Sequence, residues 1–176
     1  MSTATRFPAL QTRGTEDAAP AATRRTLVLG LGNPLLCDDA VGLYVARWLR
    51  DALNAVPGVE VAEDYCGGLR LMERLIGFDR AIIVDARRSG AAPGAVRLLP
   101  AAALTEHCAC THDVDLSTAL ELGRRSGAAL PRLSDIRVVA VEAADVHSFG
   151  EKCTAAVAAS IPLAAGAVLD LLKAWR

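Results

Sequence analysis

The stretch TLVLGLGNPLLCDDAVG, residues 26–42, decides the fold. Its first six residues form a short apolar run that leads into a glycine-rich turn, which is typical of a buried strand. From residue 39 to residue 55 the apolar side chains recur at helical spacing. Asp38 or Asp39 would stand at the start of this helix, where a carboxylate caps free amides. The stretch therefore predicts a strand, a turn with an acidic pair, and a helix.

The rest of the chain repeats this alternation. We predict further strands over residues 58–63, 81–84, 95–99 and 136–141, and helices over residues 69–76, 113–125 and 162–175. Pro162 would lie in the first turn of the last helix, where proline is tolerated. Strands that are apolar throughout indicate a largely parallel sheet covered on both faces. The predicted fold is a single-domain α/β three-layer sandwich with a mostly parallel, twisted central sheet and helices on both faces.

Length and composition limit the possible functions. The chain has 176 residues, enough for one domain, and we assign it to residues 25–176, after a disordered leader at residues 1–24 that lacks periodicity. A net charge of −1 and an aromatic content of 4% argue against a nucleic-acid partner. The five cysteines are odd in number, and no secretory segment opens the chain. We therefore expect reduced thiols and a cytoplasmic, monomeric protein.

One segment, residues 153–169, has the low charge of a membrane span. It is rich in alanine, contains Pro162 and is closed by Asp170. It also falls short of the ~20 strongly apolar residues that a span needs. We predict a buried terminal helix and no membrane partner.

Three polar groups form the strongest candidate site. In parallel sheets, functional side chains gather where the strands end. Asp39 follows the first strand, Asp64 ends the second, and His112 precedes a helix. Two carboxylates and one imidazole would suit a borderline divalent ion with open positions for substrate. Read alone, the pattern favours two turn or cap acids and one structural histidine.

Four motifs resemble those of the hydrogenase maturation endopeptidases. They are GLGNPLLCDDAVG (residues 30–42), RAIIVDA with GAAPGAV (residues 80–86 and 90–96), HDVDLSTALELG (residues 112–123) and the closing segment VVAVEAADVHSFGEKCTAAVAASIP (residues 138–162). They occur in the family's order, and the resemblance spans about residues 26–174. Two positions depart from the family pattern: Asp39 stands where many members have glutamate, and Asp64-Tyr-Cys-Gly-Gly stands where they often have Asp-Gly-Gly-Thr.

The resemblance implies a function and a set of residues. The family removes a C-terminal peptide from the nickel-loaded large subunit of [NiFe] hydrogenases, which would make this chain an aspartic-type endopeptidase. By this resemblance, Asp39, Asp64 and His112 would be both the catalytic and the metal-contacting residues, with Asp38 structural. Nickel would arrive with the hydrogenase precursor, and no nucleotide would be bound. The metal would act as a Lewis acid or only dock the substrate, with a carboxylate as general base.

Other interpretations stay open. GLGNP also resembles the opening of peptidyl-tRNA hydrolases, although no histidine follows before His107. The glycine-rich turn lacks the third glycine of a dinucleotide-binding motif. A non-catalytic chaperone that docks on the nickel site is a further alternative. The run HCACTH, residues 107–112, would bind a structural zinc only with difficulty because it is one local cluster. Asp85 would support the site or serve in a turn.

Overall fold

The computed structural model describes residues 24–65, 67–106 and 114–175. The predicted leader lies outside this range except for its last residue. His112 and three of the cysteines, Cys66, Cys108 and Cys110, also lie outside this range. The predicted role of His112 therefore stays a prediction.

The core of the fold is a five-stranded sheet. Its strands are β1 (Thr26–Leu31), β2 (Val59–Asp64), β3 (Arg80–Arg87), β4 (Val96–Pro100) and β5 (Ile136–Glu142). Their order across the sheet is β2-β1-β3-β5-β4. β2, β1, β3 and β5 pair in parallel, and β4 pairs antiparallel with β5 at one edge. The predicted mostly parallel sheet is confirmed.

Helices cover both faces of the sheet. They are α1 (Val41–Leu53), α2 (Gly68–Arg74), α3 (Leu116–Arg125) and α4 (Ala155–Ala174), joined by 3-10 turns at Asp38–Ala40, Ala101–Glu106 and Leu133–Asp135. One apolar core joins α1 and α4 to one face of the sheet, and a second joins α2 and α3 to the other. Successive side chains of β1 point to opposite faces, so Val28 packs in the first core and Leu29 in the second. The three-layer sandwich is confirmed.

Two predicted helix starts were wrong. α1 begins at Val41, and its cap is Ala40 without a side-chain hydrogen bond, because the acidic pair lies in the preceding 3-10 turn. α3 begins at Leu116, where the Asp115 side chain accepts a hydrogen bond from the Thr118 amide. In both places the turn before the helix uses residues that periodicity alone assigns to the helix.

The prediction for the last helix was also wrong at its start. α4 begins at Ala155, so Pro162 lies inside the helix rather than in its first turn. Alanine has the highest helix propensity, and the alanine-rich segment before Pro162 extends the helix backward. Burial of Val157 fixes this added segment against the core. Pro162 itself is exposed, where its ring meets solvent rather than the sheet.

α4 is long and apolar enough, by length and composition, to cross a membrane. Its inward side chains, including Val157, Val168 and Leu172, are buried in the core that it shares with α1. A core helix of a folded domain passes the same test of length and composition. The packing therefore supports the predicted core helix.

Two glycines bring α1 close to the sheet. A Cβ added at Gly30 would lie 2.1 Å from the Gly42 carbonyl oxygen. A Cβ at Gly42 would lie 2.2 Å from the Leu31 oxygen and 2.3 Å from the Val84 oxygen. All of these atoms are backbone, so a side chain would push the helix away from the sheet. This close approach fixes where the turn between β1 and α1 lies.

We expect Gly42→Ala to lower the free energy of unfolding by about 3 kcal/mol, because the methyl group would overlap two carbonyl oxygens. Gly166→Ala in α4 is the matched control, because no atom of the described chain lies within 4 Å of a Cβ there. The control should be neutral or stabilising by up to about 1 kcal/mol. Urea denaturation followed by circular dichroism measures both. Equal stabilities for the two variants would contradict the close approach.

Candidate active site at the carboxyl ends of the strands

Asp38 is fully buried and joins three segments of the chain. Its carboxylate accepts hydrogen bonds from the amides of Ala144, Asp145 and Thr154, at 2.7–2.9 Å, and from the Thr154 hydroxyl at 3.0 Å. These partners lie after β5 and at the start of α4. A buried carboxylate is stable only when it is fully hydrogen-bonded in this way. Asp38 therefore holds the acidic turn in place and has a structural role.

The segment that ends at Asp38, residues 33–38, pairs with residues 145–150 after β5. We call these two hydrogen-bonded segments the ribbon. Leu36 and Phe149 form an antiparallel bridge. The amides of Cys37, Asp38 and Gly150 donate to the carbonyls of Ser148, Asp145 and Leu35, respectively, at 2.9–3.1 Å. The two loops that follow β1 and β5 are therefore fixed to each other at the carboxyl end of the sheet.

Asp39 faces away from the partners of Asp38. Its side chain is partly exposed, and its Oδ2 accepts a hydrogen bond from the Asn33 amide at 2.8 Å. The Asn33 side chain in turn accepts from the Leu35 amide at 3.0 Å. The 3-10 turn that carries Asp39 packs against β3. Asp39 is thus held at the edge of the sheet with carboxylate oxygen left accessible.

Asp85 is a second carboxylate at the edge of the sheet where Asp39 lies. It ends the apolar run of the central strand β3 and continues the row of Ala81 and Ile83, which faces α2 and α3. A small cavity beside it is lined by apolar side chains that include Leu99 and Leu104. Burial, with the nearby negative charge of Asp39 as the second cause, raises the pKa of Asp85 to about 7. The two carboxylates are therefore close enough to interact electrostatically.

Asp64 lies farther along the same edge. It is paired with Leu31 of β1, whereas Asp85 follows Val84, which pairs with Gly30 on the other side of β1. One strand therefore separates the two acids, with backbones roughly 10 Å apart. The Asp64 carboxylate forms an ion pair with Arg74 at 3.2 Å. The structure thus gives Asp64 a cationic partner from α2.

Glu63, the residue before Asp64 in β2, points to the opposite face of the sheet. It forms ion pairs with Arg47 at 2.9 Å and Arg50 at 2.6 Å, both on α1. Strand alternation predicted this orientation, and the contacts agree with it.

Three further polar groups, one glutamate and two cysteines, lie near this edge. Glu142 is buried at the end of β5 and accepts hydrogen bonds from Ser89 and from the amides of Gly90 and Ala91, which fixes the turn between β3 and β4. Cys37 and Cys153 are free thiols. Burial, with the charge of Asp38 adding to it, raises the pKa of Cys153 to about 11, so this thiol is protonated at neutral pH.

Within residues 24–65, 67–106 and 114–175, no cluster of three acidic, histidine or cysteine side chains is arranged to hold a metal ion. Asp39 and Asp85 are two carboxylates at this edge that interact electrostatically. His112, the third predicted contact, lies outside the described residues. The described part of the site is therefore a two-carboxylate arrangement open toward the end of the sheet.

Sequence reasoning assigned Asp85 only a supporting or turn role. The feature that favours Asp85 is tertiary: β2 and β3 both lie beside β1, and the 3-10 turn that carries Asp39 packs against β3. Strand order is not readable from short apolar runs, since each run predicts a strand without naming its neighbours.

Comparison with known proteins decides the family. The family model described as hydrogenase maturation protease matches residues 43–171, most of the chain. The chain belongs to the hydrogenase maturation protease family. The matched segment begins directly after the GLGNPLLCDDAVG motif, so it contains Asp64 and Asp85 but not Asp39.

Individual maturation proteases agree with this assignment. The hydrogenase 2 maturation protease of Escherichia coli is 30% identical over 119 residues, which cover 65% of this chain and 73% of that protein. The hydrogenase expression/formation protein HupD of Rhizobium leguminosarum is 24% identical over 160 residues, or 89% and 78% of the two chains. The structure of the E. coli hydrogenase maturating endopeptidase HybD superposes with a TM-score of 0.68 at 29% identity, covering 85% of this chain and 92% of HybD.

The raised pKa of Asp85 predicts a pH dependence of stability. Between about pH 4 and pH 7 the folded protein holds a proton on Asp85 that the unfolded chain releases, so this group's contribution to stability falls as pH rises through that window. Asp85→Asn removes the contribution. We expect the stability of Asp85→Asn relative to the unsubstituted protein to rise by about 2 kcal/mol from pH 5 to pH 8.

Urea denaturation of both proteins at several pH values measures this difference, and groups common to both cancel. If the free energies of unfolding of the two proteins change in parallel with pH, the raised pKa of Asp85 is contradicted.

Proposed function

We propose that this protein is a cytoplasmic, monomeric endopeptidase that removes a C-terminal peptide from the nickel-loaded large subunit of a [NiFe] hydrogenase. The observation that carries the proposal is the Asp39–Asp85 carboxylate pair at the open end of the sheet in a member of the hydrogenase maturation protease family. Two relatives bear names that state hydrogenase maturation. The family assignment favours this activity over the peptidyl-tRNA hydrolase alternative.

In this proposal the nickel is part of the substrate. Asp39, Asp85 and His112 contact it, with carboxylate and imidazole donors that suit a borderline divalent ion. Asp85 is preferred to Asp64 as the second carboxylate because Asp85 interacts with Asp39, whereas Asp64 is ion-paired with Arg74. The sequence-based assignment of Asp39, Asp64 and His112 remains the alternative set.

The raised pKa of Asp85 suits a group that exchanges protons near neutral pH. Precursor without nickel would meet a carboxylate that still holds its proton in about half of the molecules at neutral pH. Nickel in the precursor would favour the ionised form, because a nearby cation lowers the pKa of a carboxylic acid. An ionised carboxylate then serves as a nickel contact or as the general base that activates water for attack on the scissile carbonyl. This ionisation gives a physical reason for cleavage to depend on nickel.

The proposal is tested with a purified large-subunit precursor in nickel-loaded and nickel-free forms. We expect the C-terminal tail to be removed only from the nickel-loaded form, as measured by mass spectrometry of the intact subunit. Cleavage of both forms would contradict recognition of nickel. Stable binding without any cleavage would instead support the non-catalytic docking alternative.

Substitutions separate the two candidate residue sets. We expect Asp85→Ala and His112→Ala each to lower kcat/KM for the nickel-loaded precursor at least roughly 100-fold, since each removes one proposed contact. Asp64→Ala should keep most of the activity, because its carboxylate is already neutralised by Arg74.

Asp51→Ala on the exposed face of α1 is the matched control for removal of an acid. Loss of activity in Asp64→Ala together with normal activity in Asp85→Ala would favour the original set instead. Circular dichroism of each variant checks that the fold is intact.

A further inference from the structure

The tip of the ribbon exposes large apolar side chains beside the proposed active site. Phe149 is 84% exposed and Leu35 is 61% exposed, while Leu36 between the two loops is partly buried. We call Leu35, Leu36 and Phe149 the apolar tip. Single exposed apolar residues are common, but adjacent ones on a functional edge indicate an interaction surface.

The backbone under the apolar tip is fixed. Phe149 lies opposite Leu36 in the antiparallel bridge, and the Gly150 amide donates to the Leu35 carbonyl at 3.0 Å. Asp145 also accepts from the amides of His147 and Ser148, both at 2.9 Å, which closes the turn before Phe149. The side chains are thus presented on ordered backbone, so little backbone entropy is lost when a partner binds them.

The apolar tip combines two exposed side chains with the bridged residue between the loops. Leu36 and Phe149 lie opposite each other in the antiparallel bridge, so their side chains project to the same side of the ribbon. Leu35 adds a second exposed apolar side chain next to Leu36. A side chain as exposed as that of Phe149 stands out from the surface and fits a concave apolar surface, so the partner expected here has an apolar groove.

The apolar tip is continuous with the carboxylate site. Asn33 links them directly, because its amide donates to Asp39 and its side-chain oxygen accepts from the Leu35 amide. A protein whose reacting group meets Asp39 would therefore meet the apolar tip at the same time. A second copy of this chain seated on the tip would instead obstruct a protein substrate.

We propose that the apolar tip inserts into an apolar groove of the hydrogenase large-subunit precursor, next to the C-terminal tail that is cut. This inference rests on the proposed function and assigns the precursor a docking contact that is separate from its nickel. The tip contributes binding and positions the precursor, whereas the carboxylates act on the reacting centre.

Because the tip does not contact nickel, binding of nickel-free precursor tests it separately from cleavage. We expect Phe149→Ser to raise the dissociation constant for nickel-free precursor roughly tenfold, as measured by biolayer interferometry. Phe149→Leu, which keeps an apolar side chain, should stay within about threefold of the unsubstituted protein. Leu163→Ser in α4 is the matched control, since Leu163 is 63% exposed and lies outside the tip; its dissociation constant should not change.

Cleavage of nickel-loaded precursor is measured on the same proteins. Phe149→Ser should raise KM with little change in kcat, because a docking contact acts equally in the ground and transition states. If Phe149→Ser cleaves the precursor and binds it as tightly as the unsubstituted protein does, the docking role of the apolar tip is wrong and the endopeptidase activity is confirmed. If binding depends on Phe149 but no protein cleaves the precursor, the docking role is supported and the endopeptidase activity is contradicted. A dimer of the unsubstituted protein that Phe149→Ser converts to monomer, seen by sedimentation, would show a second copy as the occupant and overturn the inference.

Discussion

The buried carboxylate of Asp38 is the interaction on which the active edge depends. Its four hydrogen bonds tie the turn after β1 to the loop after β5 and to the first residue before α4. Without that carboxylate, the amides of Ala144, Asp145 and Thr154 would lose their acceptor, and a donor left unsatisfied away from water costs about 1–3 kcal/mol. The close approach of Gly42 to the backbone of β1 and β3 then sets the height of the same turn above the sheet.

This constraint gives two adjacent acids different roles. A 3-10 turn advances by about 120° per residue, so consecutive side chains diverge. Asp38 faces the interior, where its carboxylate accepts structural hydrogen bonds. Asp39 faces the edge of the sheet and raises the pKa of Asp85. The same turn directly follows one segment of the ribbon, which presents Leu35 and Phe149. One buried carboxylate thus positions both the chemical groups of the site and the apolar surface beside them.

The sequence predicted the layers of the fold better than the membership of the site. Within the described residues, apolar runs and helical spacing identified the five strands and the four α-helices, because burial imposes those periods directly. The start of α4 was missed because Pro162 suggested a first turn, whereas burial of Val157 extends the helix backward. Asp85 was ranked below Asp64 because the packing of the Asp39 turn against β3 is a tertiary contact that short apolar runs do not predict.

The electrostatic interaction between Asp39 and Asp85 can be measured by carbon-13 NMR of the side-chain carboxyl of Asp85, titrated in the unsubstituted protein and in Asp39→Asn. We expect a midpoint near the raised pKa of about 7 in the unsubstituted protein and a lower midpoint in Asp39→Asn, because burial remains and the neighbouring charge is gone. An Asp85 midpoint in the ordinary range of aspartate, unchanged by the substitution, would contradict it.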